Sequence, residues 1–320
     1  MTQQYEGTHL TGLAGTNPLG FFAALGVQVL FADEPHQPKL WWSNDVIPHA
    51  IVDKDFSVET IIQQALAVCP KWANSPAVSP RFGKKDDPGI SAAKFSEEDT
   101  HTYLLQALAS GEPSAALATA LVAEGSYAVK AGKNVSKPTD LYFTAAKQLF
   151  LKNAQTILSS VTQDDLHNGL VGPWLYESKL PSLMWDVTDD RNYALLAFDP
   201  AGDKKLTNPG AEALAILGLS RHPVFAGKAG QKTRTLTVGC SGQWKSGEYT
   251  WPLWSRPTGN AAVSALLVHA SHPKPESRSN WYPSWGIFQV LQSQITRSDQ
   301  GGFGTFSPPR IIWKTNSESS

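Results

Sequence analysis

The stretch Thr8-His9-Leu10-Thr11-Gly12-Leu13 alternates polar and apolar residues, the pattern of a short strand with one face buried. Thr16-Asn17-Pro18 follows, placing a polar cap before a proline at the first helical position. The next residues, Leu19 through Leu30, are apolar nearly all round, so the helix they predict is buried on every side. Strands are expected over 39–43 and 47–53, with Asn44-Asp45 as their turn, and Ser57 caps a helix reaching to about residue 68. The order β-α-β-β-α is the first part of a ferredoxin-like unit, a fold shared by many RNA-binding modules. The expected fold class is therefore α+β.

Residues 70–96 are rich in Pro, Ser, Lys and Asp and read as a long exposed loop or linker. Helical patterns cover 97–109, 113–123 and 140–160, then Gly172-Pro173-Trp174 breaks the run, and strand-like segments lie at 182–186 and 193–199. Thr207-Asn208-Pro209 then repeats the earlier helix start ahead of an apolar run ending in Leu217-Gly218. That echo is either a common way of starting a buried helix or the trace of a duplicated half-domain. Beyond it the pattern predicts strands at 233–239 and 249–254, a helix at 260–270 and a basic loop at 271–283. A helix at 285–297 and a Gly-rich turn at 301–309 complete the reading. Three regions result: an N-terminal α+β unit (1–70), a loop with helices (71–137), and a second, mixed strand and helix region (138–320).

The 320 residues carry 27 Lys and Arg against 28 Asp and Glu, which excludes a uniformly basic coat protein. Position matters more than the sum. Residues 1–220 hold 16 basic and 24 acidic side chains, whereas residues 221–320 hold 11 basic and 4 acidic ones. The same basic third contains six of the eleven tryptophans: Trp244, Trp251, Trp254, Trp281, Trp285 and Trp313. Cations interleaved with aromatics are the composition of a surface that follows phosphates and stacks bases. Tryptophans are also large core residues, so composition leaves both uses open.

Two cysteines, Cys69 and Cys240, cannot build a disulfide framework or a cysteine-rich zinc site. The polar start, Met1 to His9, lacks the basic segment of a signal peptide, and the apolar run over 18–32 is too short to span a bilayer. A cytoplasmic protein without membrane contact is expected. His269 and His272 have a spacing that could place both on one helix face, but no second ligand pair lies near them. Gly230-Gln231-Lys232-Thr233 misplaces the lysine of a phosphate-binding loop, and Gly239-Cys240-Ser241-Gly242 lacks the second glycine position of a nucleophile elbow. No nuclease, helicase or metal motif emerges, so neither catalytic residues nor a cofactor is expected.

Leu10-Thr11-Gly12-Leu13 followed by Asn17-Pro18-Leu19-Gly20-Phe21-Phe22-Ala23-Ala24-Leu25-Gly26 resembles proteins of type I CRISPR-Cas loci, most strongly those of the G subtype, formerly U. Pro138-Thr139-Asp140-Leu141-Tyr142-Phe143, Gly172-Pro173-Trp174, Trp185-Asp186, Ala213-Leu214-Ala215-Ile216-Leu217-Gly218 and Thr250-Trp251-Pro252-Leu253-Trp254 are similar as well. The resemblance implies a large-subunit-like or accessory component of an RNA-guided surveillance complex. Its implied partners are the other complex subunits, guide RNA and target DNA. The matching motifs are structural, and no catalytic residues carry over.

A nucleic-acid partner requires a localised basic strip. Lys228, Lys232, Arg234, Lys245, Arg256, Lys274, Arg278, Arg297 and Arg310 supply it, and Lys84-Lys85 could add a clamp. Within Gly301-Gly302-Phe303-Gly304, Gly302 would let the backbone approach a phosphate and Phe303 could stack on a base; the same residues also suit a tight surface turn. Two other classes fit the composition: a protein-interaction subunit without nucleic-acid contact, and a carbohydrate-active or carbohydrate-binding protein.

Overall fold

Twelve residues, Pro18–Val29, apolar but for Gln28, form helix α1, and all twelve are buried. The computed structural model describes residues 5–83, 87–130, 132–144, 148–187, 207–229, 232–270, 279–297 and 303–315. Strand β1 (Gly7–Ala14) precedes α1, and strands β2 (Leu40–Trp42) and β3 (His49–Asp53) and helix α2 (Val58–Ala73) follow it. The three strands form an antiparallel sheet in the order β1-β3-β2. A complete ferredoxin-like unit would carry a fourth strand. Among the described residues the sheet ends at three, and helix α7 (Gln163–Val171) packs against β1, with Thr11 Oγ1 donating to the Val171 carbonyl at 2.7 Å. Helix α2 runs past its expected end through Pro70, which sits on its exposed side, where water can reach the carbonyl that loses its N–H partner.

The middle of the chain forms α3 (Pro88–Ser91), α4 (Glu97–Ala109) and α5 (Glu112–Leu121). It continues through the hairpin β4 (Tyr127–Lys130) and β5 (Lys133–Ser136) to α6 (Phe150–Ser160) and α7. The segment expected as an exposed loop is in part core. Ala77, Val78, Ala93 and Phe95 are buried, and Phe95 packs on Tyr103 of α4 at 4.6 Å between ring centroids. Residues 182–186 form no strand: Leu183, Met184 and Trp185 are buried in irregular chain, held by the Trp185 indole N–H on the Leu141 carbonyl at 2.9 Å. The strand expected at 193–199 lies outside the described residues.

Helix α8 (Pro209–Gly218) is the counterpart of α1. Both start with a capping asparagine ahead of proline: Asn17 Oδ1 accepts from Leu19 N, and Asn208 Oδ1 accepts from Ala211 N. Both are buried throughout, and they pack directly on each other. Their contact is reciprocal. A Cβ on Gly26 of α1 would lie 1.9 Å from the Leu214 carbonyl oxygen, and one on Gly218 of α8 would lie 1.9 Å from the Phe22 oxygen. Only glycine allows the two backbones this close. Glu212, fully buried in the first turn of α8, accepts from Ser182 Oγ, Thr207 Oγ1 and Leu183 N, which satisfies a carboxylate otherwise costly to bury.

The C-terminal part contains the hairpin β6 (Val224–Ala229) and β7 (Lys232–Thr237), then β8 (Cys240–Gln243), β9 (Ser246–Trp254) and α9 (Asn260–Ala270). It ends with β10 (Ile287–Arg297), β11 (Gly304–Phe306) and β12 (Arg310–Lys314). Strands β11-β10-β9-β8 form an antiparallel sheet in that order, and β12 also pairs with β10. The helix expected at 285–297 is thus the central strand. Ile287, Gln289, Leu291, Ser293 and Ile295 are buried at every second position, while Gln294 and Thr296 face outward, so the residue period is two.

Phe21 of α1 stacks on Trp42 of the small sheet and meets Trp251 and Trp254 of the large one. Indole N–H groups close the seam: Trp251 donates to the Gly15 carbonyl at 2.9 Å and Trp254 to the Leu40 carbonyl at 2.6 Å. One buried apolar cluster consequently runs from Leu10 to Phe306. No helix among the described residues is long and apolar enough to cross a membrane.

Candidate nucleic-acid interface

The β6–β7 hairpin has two unlike faces, fixed by its register. On the inner face, Thr235 Oγ1 lies 2.6 Å from Ser126 Oγ, Thr237 Oγ1 lies 3.2 Å from Thr139 Oγ1, and Thr233 Oγ1 donates to the Tyr127 carbonyl at 2.7 Å. On the outer face Phe225 pairs with Leu236 and Gly227 with Arg234. Phe225 and Leu236 are 55% and 42% exposed, and the Lys228 side chain near the tip is exposed as well.

Arg234 ties this hairpin to the next by donating through Nη2 to the Gly242 carbonyl. Strands β8 and β9 pair Gly242 with Gly247 and Gln243 with Ser246, so Trp244 and Lys245 form a two-residue turn at their tip. A tryptophan in so tight a turn has no core to enter, and Trp244 is 45% exposed. Its ring carries the Arg297 guanidinium at 3.5 Å from the centroid.

Arg297 is anchored from inside. Nε donates to the Trp244 carbonyl at 3.0 Å, Nη1 to Tyr142 at 2.7 Å and Nη2 to Asp140 at 2.5 Å. Burial pulls its pKa down to about 10, against the attraction of Asp140, so it remains cationic at neutral pH. Asp140 is pushed above the ordinary carboxylate range by burial, opposed by hydrogen bonds from Thr237 and by the charges of Arg297 and Arg234. The result is a rigid, cation-backed indole with Arg234 and Lys245 beside it, a geometry suited to stacking an aromatic ring next to phosphates.

The structure thus brings together Arg234, Lys245 and Arg297 of the expected strip, whereas Lys228, exposed near the hairpin tip, is paired with Thr233 of the inner face and is not part of this corner. Arg297 is nevertheless a brace, because each of its three nitrogens is engaged by a main-chain carbonyl. Phe303 is half-buried and precedes Gly304, whose N–H donates to the Phe143 carbonyl, so it belongs to the same corner. Arg256 lies beyond the opposite end of β9 and donates to the Ser284 carbonyl. Arg310 sits on the outer sheet surface, bound to Gln292 and paired with Glu248 at 3.3 Å, which cancels its charge locally. The backbone of Lys232 pairs with Ala229. Lys84, Lys85, Lys274, Arg278 and Gly302 lie outside the described residues, as does His272.

Sequence reasoning named Trp244 only as one of the six tryptophans of the basic third, and Phe225 and Leu236 not at all. The flanking glycines of Gly242-Gln243-Trp244-Lys245-Ser246-Gly247 were the available sign that this tryptophan sits in a turn. Of the other five tryptophans in the basic third, Trp251 and Trp254 are fully buried and Trp281 is exposed. Among the described residues no group of three His, Cys, Asp or Glu side chains is arranged to hold a metal ion. No family model and no curated protein matches the chain.

Proposed function

We propose that this protein is a non-catalytic subunit or accessory factor of a type I CRISPR RNA-guided DNA-targeting complex, holding guide RNA or target DNA on the surface around Trp244. The observation that carries the nucleic-acid part is the Arg297-backed Trp244 ring, exposed at a hairpin tip between Arg234 and Lys245. The CRISPR assignment rests on the motif resemblance, whose Leu-Gly strand and Asn-Pro helix start build β1 and α1. In an RNA-guided complex base pairing reads the sequence, so a protein subunit needs backbone contacts and stacking platforms rather than an extended base-reading surface.

Fluorescence anisotropy with labelled single-stranded guide RNA tests this, alone and with the partner subunits present. Two exposed or half-buried cations, Arg234 and Lys245, give an expected slope of log K against log salt of about −1.4. Trp244→Ala should weaken binding by about 5- to 150-fold, the loss of one stacked base. Salt-independent binding, or none even beside the partner subunits, refutes the proposal. Stoichiometric co-purification without nucleic acid would instead favour a protein-interaction subunit, and glycan binding a carbohydrate-directed protein.

A further inference from the structure

On the opposite side of the small sheet from α1, Ser43 just past the end of β2, His49 of β3 and His9 of β1 follow one another. We propose that His9 and His49 form a binding site for a divalent transition-metal ion such as Zn2+. His9 Nδ1 and His49 Nε2 point at each other across 2.8 Å. The ring centroids are 5.0 Å apart, so the two nitrogens meet nearly head-on.

The rest of the pair is already arranged as a metal site would require. His49 Nδ1 lies 3.2 Å from Asp45 Oδ2 and 3.0 Å from Ser43 Oγ. A carboxylate on Nδ1 fixes the proton there and turns the Nε2 lone pair toward His9, whose Nδ1–H it accepts; an ion entering between the rings takes the place of that proton. His9 is exposed and free to adjust its rotamer. A tetrahedral ion with bonds of about 2.0–2.1 Å needs its two nitrogens roughly 3.3 Å apart with their lone pairs converging beside the N–N line, so the exposed His9 ring must withdraw by about half an ångström and rotate out of the present head-on contact. Water completes the shell, since only two side chains ligate. The irregular pairing between Leu10 and Ala14 of β1 is part of the device, because it shifts the register where His49 joins the sheet.

Isothermal titration of the chelator-treated full chain with zinc chloride tests the site. The expected result is one saturable ion per chain. His9→Gln, a change at an exposed position, should abolish that binding. Asp45→Asn keeps both ligands and should weaken it by about 10- to 100-fold. His101→Gln, far from the pair and matched with Glu124, should bind as the parent does. Absence of saturable binding in the parent, or a His9→Gln protein that titrates like the parent, overturns the proposal. None of these outcomes depends on nucleic-acid binding.

Discussion

Replacing Gly26 with alanine tests the centre of the fold. Helix propensity alone favours the change by about 1 kcal/mol, since glycine is a poor residue for a helix interior. The packing argues the other way. The added Cβ would stand 1.9 Å from the Leu214 oxygen and 2.6 Å from its carbonyl carbon, whereas ordinary contact begins near 3.4 Å. Both obstacles are backbone, so no rotamer change relieves them, and α1 and α8 must separate by about 1.5 Å. A gap of 0.5–1 Å already forfeits roughly a quarter to a half of the dispersion energy of the facing atoms. Overpacking a core typically costs about 1–3 kcal/mol. With both helices buried along their whole length, Gly26→Ala should sit at or above the top of that range, a net loss of about 3 kcal/mol. Urea denaturation followed by tryptophan fluorescence measures it. Gly218→Ala should cost a similar amount against Phe22, and the double variant less than the two together, because helices already forced apart accommodate the second methyl. Gly259→Ala, with nothing within 4 Å of its Cβ, should stay within about 0.5 kcal/mol. A Gly26→Ala protein as stable as its parent would refute the close approach of the two helices.

Three further outcomes are expected. His222 is fully buried between Phe22 and Tyr249, and burial lowers its pKa to about 3, so it is neutral when folded and takes up a proton below pH 6.5 when unfolded. Stability present above pH 6.5 is therefore lost as pH falls toward 3, by about 2 kcal/mol at pH 5; denaturant midpoints at pH 7 and pH 5 should show this, and His222→Phe should reduce the difference by that amount. Asn208→Ala removes the α8 cap, and calorimetry should report a loss of about 1 kcal/mol, with no loss refuting the capping role. Arg310→Ala, by contrast, should change stability by less than about 1 kcal/mol, because its pair with Glu248 is largely exposed, and should leave RNA affinity unaltered in the anisotropy assay.

The helix starts were the most legible part of the sequence. Asn17, Ser57 and Asn208 each cap a helix with a side chain read directly from the local pattern. Strand β10 was not legible in the same way. Its run of Ile, Gln, Val and Leu suits either period, and the choice is made by β9 some forty residues earlier and β12 some twenty later. The candidate site divides along the same line. The sequence displays which residues are charged, but not that Arg297 is held by three carbonyls or that Arg310 faces Glu248. Those are long-range pairings, absent from any local window. Trp244 stands between the two cases, since its exposure follows from a turn that the flanking glycines mark.

The pairing of α1 with α8 also bears on how the chain can be made. Pro18 and Pro209 are separated by about 190 residues, so at a synthesis rate of about 5–20 residues per second the first helix emerges roughly 10–40 s before its partner. During that interval a segment apolar but for Gln28 has neither α8 nor the tryptophans of β9 to cover it. The N-terminal region cannot reach its final packing on the ribosome until most of the polypeptide has appeared, and non-local closure of this kind slows folding. Production of this protein should therefore depend on whatever shields residues 18–29 in the nascent chain, and a fragment ending before residue 209 should aggregate rather than fold.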